Sequence, residues 1–155
     1  MTSPKKLPYM LDTNIFNHIL DGTIDISELT KLRREFFVTH IQLDELNATP
    51  DLQRRIELVK VFHEIYSTAV PTESSVWGVS RWGQAKWTTN DSLYAPIVRK
   101  LAVGQKRWSR KHDSNMRDAL IAETSIRNNY TLLTNDVKLG SVVKDLGGKT
   151  QDLVG

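Results

Sequence analysis

The chain has 155 residues, of which 25% are charged and 39% hydrophobic, with a net charge of +3 and no cysteine. That composition is globular rather than disordered or fibrous, and the length suits one domain spanning residues 1–155. The lack of cysteine excludes disulfides, thiolate metal sites and thiol nucleophiles, so any metal must be held by oxygen or histidine.

The first apolar run, Tyr9–Leu11 in "YMLDTNIFNHIL", reads as a short buried strand, and helical spacing resumes over Asn14–Leu20. Asp12, Thr13 and Asn14 sit at the junction. A helix is expected near Ile26–Glu35 and a strand at Phe36–His40. Thr39 with Gln42 then fits a capping box opening a helix through Leu46. Pro50 and Asp51 start a longer helix whose expected core stripe is Leu52, Ile56, Val59, Phe62 and Tyr66. A third strand is expected in "STAV" before Pro71, and Thr72 to Asn90 shows no clean period. Asp91–Leu101 reads as a helix stopped by Gly104, and Ser114 as the cap of another reaching Arg127, buried through its "ALIA" centre. "YTLLT", Tyr130–Thr134, is a strand ending at Asn135 and Asp136, and Thr150–Val154 a last edge strand. Strands alternating with helices over about five units indicate a parallel α/β sheet.

Charge is unevenly spread. Arg81 to Lys111 carries eight basic residues against one acid, whereas the remainder holds thirteen basic and seventeen acidic residues. No apolar run is long enough to span a bilayer and the N-terminus has no signal-peptide core, so a cytoplasmic location is expected, without membrane contact.

In a parallel sheet Asp12, Glu45, Asp118 and Asp136 would all fall along the carboxyl edge, where ligands and catalytic groups collect. Acids gathered without basic partners repel one another and are stable mainly when a cation neutralises them. Oxygen ligands favour Mg²⁺ or Mn²⁺. The ordinary alternative is that Asp12 is an N-cap and the others are solvated acids. Asp44 and Asp113 stand close enough in sequence to substitute for Glu45 and Asp118, although Asp113 reads more naturally as a charge near a helix N-terminus.

"MLDTNIF", "IQLDELN", "RDALIAETSI" and "LLTNDVKL" follow the order and approximate spacing of the PIN-domain ribonucleases, and the chain most resembles the VapC-type toxins of toxin–antitoxin pairs over nearly its whole length. The resemblance implies a PIN-like α/β/α sandwich with about five mostly parallel strands, an Mg²⁺- or Mn²⁺-dependent endoribonuclease, one or two ions per site, a small antitoxin partner and a homodimer. By motif, Asp12, Glu45, Asp118 and Asp136 are its acidic residues and metal ligands, with Thr13, Asn14, Thr134 and Asn135 as polar support. The family's further acid is missing, since Val137, Lys138 and Leu139 follow Asp136. Competing readings are a solitary RNA-processing or structure-specific DNA nuclease, and a catalytically weak RNA-binding module. No residue decides between RNA and DNA.

The basic run "QKRWSRKH" is the expected RNA contact: Lys106, Arg107, Arg110 and Lys111 surround Trp108 just before the helix carrying Asp118. Trp77, Trp82 and Trp87 recur every five residues, which does not keep one helical face, and read as core or interface residues, with stacking on unpaired bases as the alternative. "GGKT" at Gly147–Thr150 is a turn rather than a phosphate loop, because Val143 stands where the loop needs glycine. His18, His40, His63 and His112 show no paired ligand spacing.

Overall fold

The computed structural model describes residues 7–30, 34–65, 67–73, 92–103 and 111–153. Five strands, β1 (Leu7–Leu11), β2 (Arg34–Val38), β3 (Ser67–Ala69), β4 (Thr131–Leu133) and β5 (Lys149–Gln151), alternate with helices α1 (Thr13–Leu20), α2 (Ile26–Thr30), α3 (His40–Asn47), α4 (Leu52–Glu64), α5 (Tyr94–Leu101), α6 (Lys111–Arg127) and α7 (Val137–Asp145). All described strand pairs are parallel, in the order β3-β2-β1-β4-β5. The expected parallel α/β architecture is the one present. Among the described residues no helix is long and apolar enough to cross a membrane.

The sheet's pleat divides the core in two. Tyr9, Leu11, Phe36, Val38 and Leu133 point toward α1, α2 and α4, packing on Phe16, Leu29 and Leu58. Met10 and Leu132, one residue out of step, point the other way toward Ile97 of α5, Leu120 and Ile121 of α6, and Leu139 of α7. Helix α3 serves both sides, Leu46 in the first core and Ile41 in the second. The sheet is thus covered on both faces, and its carboxyl edge is where the chain must place polar groups.

Several local expectations hold. Thr39 opens α3 with the full capping box, its hydroxyl accepting from the Ile41 N–H while Gln42 Oε1 accepts from the Thr39 N–H. Gly147, at φ 85°, and Gly148 make the turn before β5; a Cβ on Gly148 would come within 2.5 Å of Val143. Others are corrected. The helix at Ile26 ends at Thr30, and the chain enters β2 at Arg34, because Phe36 and Val38 are drawn onto the sheet face. α6 starts at Lys111, so Ser114 is inside the helix and does not cap it. In α4 Val59 and Phe62 of the expected stripe do pack against the core, but the buried residue is Leu58, and Leu52 and Ile56 are 63% and 55% exposed, so the stripe holds only in its second half. Helix α7 has no counterpart among the expected elements. Tyr66, Trp77, Trp82, Trp87 and Gly104 lie outside the described residues.

Candidate active site

The strand order reverses at β1: the chain steps from β1 to β2 on one side and to β4 on the other. That switch point opens a crevice at the carboxyl edge. Asp12 follows β1 directly, Asp136 lies three residues past β4, α3 carries Glu45 and α6 carries Asp118.

Asp12 occupies the backbone position of an N-cap, yet its side chain makes no capping bond to α1. Its carboxylate turns to β4, where Thr134 Oγ1 donates to Oδ2 at 2.7 Å. Asp136 behaves differently and caps α7, accepting from the Leu139 N–H at 3.1 Å. The same Thr134 hydroxyl accepts from the Asp136 N–H at 3.1 Å, so one hydroxyl links both acids.

Glu45 is set by two contacts. Thr13 Oγ1 donates to its Oε1 at 3.0 Å. One turn earlier, Gln42, fully buried, donates from Nε2 to the Leu11 carbonyl at 2.8 Å and so fastens α3 to the end of β1. Gln42 is legible in the sequence as a capping residue, but its reach to β1 is not, because that contact needs the two elements already packed. Asn14 is exposed on the first turn of α1, and Asn135 Oδ1 accepts from the Leu153 N–H at 3.2 Å.

The four acids sense one another. Burial raises the Asp12 carboxyl, and Asp136 raises it further against the opposing Thr134 hydrogen bond. Burial pushes Glu45 up to about 7, with Asp12 adding to it. Asp118 is pushed up to about 8, by burial first and then by Asp12, Glu45 and Asp136. Positive groups give partial relief, His18 to Asp12 and Arg117 to Glu45. Neither role can be read from the motifs. Asp44 is not among the charges acting on Asp118, which favours Glu45 over its neighbour.

Such a set of all-oxygen, mutually repelling donors fits a hard divalent cation by chemistry. The side chains are not drawn into a ready cage: among the described residues no three acidic or histidine side chains form a group able to hold an ion as they stand. Lys106, Arg107, Trp108 and Arg110 lie outside the described residues; Lys111 is the first residue of α6, seven before Asp118.

No family model matches the sequence, and no curated protein matches it either. Solved structures do. The VapBC-1 complex of nontypeable Haemophilus influenzae matches at TM-score 0.57 and 18% identity, covering 96% of this chain and 100% of that one. The VapBC2 complex of Rickettsia felis, bound to a DNA fragment from its promoter, matches at 0.54 and 16%, covering 94% and 98%. A domain of a functionally unknown protein from Methanocaldococcus jannaschii matches at 0.54 and 14%, covering 96% and 92%. At these identities the likeness is one of fold, and it agrees with the PIN-like sandwich expected from the motifs.

Proposed function

We propose that the chain is a metal-dependent endoribonuclease that hydrolyses phosphodiester bonds in single-stranded RNA, and that it is the toxin of a toxin–antitoxin pair. The observation that carries the reading is the gathering of Asp12, Glu45, Asp118 and Asp136 at the switch point, with each of the first three held toward its protonated form by burial and by its neighbours. A structural cluster gains nothing from such repulsion; a site that receives a cation does. The fold likeness to two VapBC complexes supports the toxin reading and a small antitoxin as partner, with a homodimer and one nuclease domain as parts of the same proposal.

Asp12 and Asp136 would hold Mg²⁺ or Mn²⁺, with Glu45 and Asp118 completing the shell or orienting its waters. The bound ion would lower the pKa of the attacking water and offset charge developing on the phosphate. Thr134 keeps the Asp12 carboxylate aimed from β1 across to β4, and Thr13 does the same for Glu45 from α1 to α3. In the ion-free chain Glu45 and Asp118 titrate near neutrality, the range in which a carboxylate oxygen can take a proton from water and release it again.

The test is cleavage of a single-stranded RNA by the purified protein with Mg²⁺ or Mn²⁺. EDTA should abolish it, and a DNA strand of the same sequence should persist. Asp12→Asn should reduce cleavage to background while the chain stays folded, because it removes a charge and adds no volume. A variant that cuts as fast as the parent would show the site to be misassigned.

A further inference from the structure

Gln42 stands where the ladder between β1 and β2 would otherwise close. Met10 lies opposite Phe37 in this parallel pair, and that register would send the next rung from the Thr39 N–H to the Leu11 carbonyl. Instead the Thr39 N–H donates to Gln42 Oε1 at 2.8 Å, and Gln42 Nε2 donates to the Leu11 carbonyl at 2.8 Å. One side-chain amide has taken the place of a backbone bond. Gln42 is fully buried, and its Oε1 also accepts from the Thr39 hydroxyl at 2.7 Å, which fixes the orientation of the amide.

The other flank of β1 behaves differently. There the ladder to β4 runs on without a wedge, the Asp12 N–H donating to the Leu133 carbonyl at 3.0 Å. The peptide joining Leu11 to Asp12 is therefore gripped on both sides, its N–H by β4 and its carbonyl by α3. A direct rung between β1 and β2 would satisfy the same two backbone groups, so hydrogen bonding alone does not call for the insertion. Its consequence is spacing. A direct rung would bring the Thr39 nitrogen to about 2.9 Å from the Leu11 oxygen, whereas an amide with a bond at each end keeps the two groups farther apart.

The groups spaced in this way lead straight to two of the acids. Asp12 follows Leu11, and α3, which Thr39 opens, carries Glu45 one turn beyond Gln42. We propose that Gln42 is a positioning residue, a spacer between β1 and β2 that sets the separation of Asp12 and Glu45 and with it the width of the site for a divalent cation. The inference rests on the metal-dependent nuclease reading and adds to it a residue that touches neither ion nor substrate. Residues that hold metal ligands from behind change metal affinity or activity by roughly 10–100-fold when they are removed. A residue that only capped α3 would change stability and leave the metal alone.

The experiment titrates Mn²⁺ into the full chain by calorimetry and follows RNA cleavage and the thermal midpoint in parallel. Gln42→Met keeps the length and removes both hydrogen bonds, so the rung is free to close directly. It should weaken Mn²⁺ binding by roughly tenfold or more and lower kcat, with KM for RNA unchanged. Gln42→Asn keeps an amide for Thr39 but is one methylene too short to reach Leu11 as well. It should lose Mn²⁺ affinity in the same way, and it carries the test if the Met variant does not fold. Leu58→Ala, a core truncation in α4, should lower the midpoint and leave Mn²⁺ affinity as it is. Gln42 variants that lose stability like Leu58→Ala but bind Mn²⁺ and cut RNA as the parent does would overturn the spacer and leave the nuclease. Weakened Mn²⁺ binding in variants of a parent that cuts no RNA would remove the nuclease reading and leave the spacer. A parent that binds no Mn²⁺ would overturn both.

Discussion

Helix α6 carries Asp118 and Glu123 five residues apart, and the fold treats them in opposite ways. Glu123 is 1% exposed, and its Oε2 accepts from the Ser92 hydroxyl at 2.8 Å and from the backbone N–H groups of Leu93 and Tyr94 at 2.6 and 3.0 Å. It anchors the start of α5, where the helix dipole also favours negative charge. Asp118 is pressed by three other carboxylates and pushed up to about 8. One acid is buried with three donors on Oε2, although its Oε1 has no partner among the described residues, and the other is half-buried among its rivals. The first kind of burial builds a fold, and the second is tolerated where a ligand is to supply what the chain withholds.

The sharpest way to break this contrast is to neutralise each acid in turn. Asp118→Asn should bring RNA cleavage to background while raising the denaturation midpoint at pH 8 in EDTA, because it removes a repelling charge. If it lowered that midpoint instead, Asp118 would be a structural acid like Glu123.

The repulsion also sets a pH dependence. Glu45 and Asp118 lose their protons near 4.5 and 3.8 in an unfolded chain but only near 7 and 8 in the folded one. Across that window the folded chain binds more protons, so its stability is full below about pH 4 and falls as pH rises toward 8. A tenfold difference in proton affinity between the two states corresponds to about 1.4 kcal/mol at most, and for two mutually repelling, partly solvated groups a total loss of roughly 3 kcal/mol is expected. Urea unfolding in EDTA at pH 5 and pH 8 measures it. Mn²⁺ should recover the loss at pH 8, and a flat profile would show that the acids do not repel.

Glu123 gives the next effect in size. Glu123→Ala removes the acceptor of the Leu93 N–H and one contact each of Ser92 and Tyr94, and should cost about 2 kcal/mol. Cleavage per folded molecule should hardly change, and a loss as deep as that of Asp118→Asn would place Glu123 in the site.

The two acids also differ in how far the sequence discloses them. Asp118 is visible because "RDALIAETSI" sits in order with "MLDTNIF", "IQLDELN" and "LLTNDVKL". Glu123 lies in the same motif, but its role depends on Ser92 to Tyr94, some thirty residues away, and no local pattern records that contact. The strands are legible from short apolar runs, and their parallel order follows from alternation with helices. Helix α7 escapes because Gly140 interrupts "VKLGSVVKD" and weakens its helical signal, although a Cβ at that position would meet only ordinary contacts. The α4 stripe misleads because Leu52 and Ile56 keep helical spacing with Val59 although both are exposed, and spacing alone does not say which face meets the core.

The smallest effect concerns the other end of α5. Lys138, which stands just after Asp136 where the resemblance implies a further acid, donates from Nζ to the Val103 carbonyl at 2.8 Å. Helix α5 is thus held by a carboxylate at its start and an ammonium past its end, each of the sign its dipole favours. The two contacts differ in solvation: Glu123 is buried and Lys138 exposed. Lys138→Met keeps the apolar stem and removes the charge, so it should cost only about 0.3–1 kcal/mol, and the difference should shrink as salt is raised. Glu123→Ala should cost the same in low and high salt, because its lost hydrogen bonds are not reached by mobile ions. Equal salt dependence in the two variants would mean that α5 is held by long-range charge at both ends, and that the buried Glu123 contacts add little beyond it.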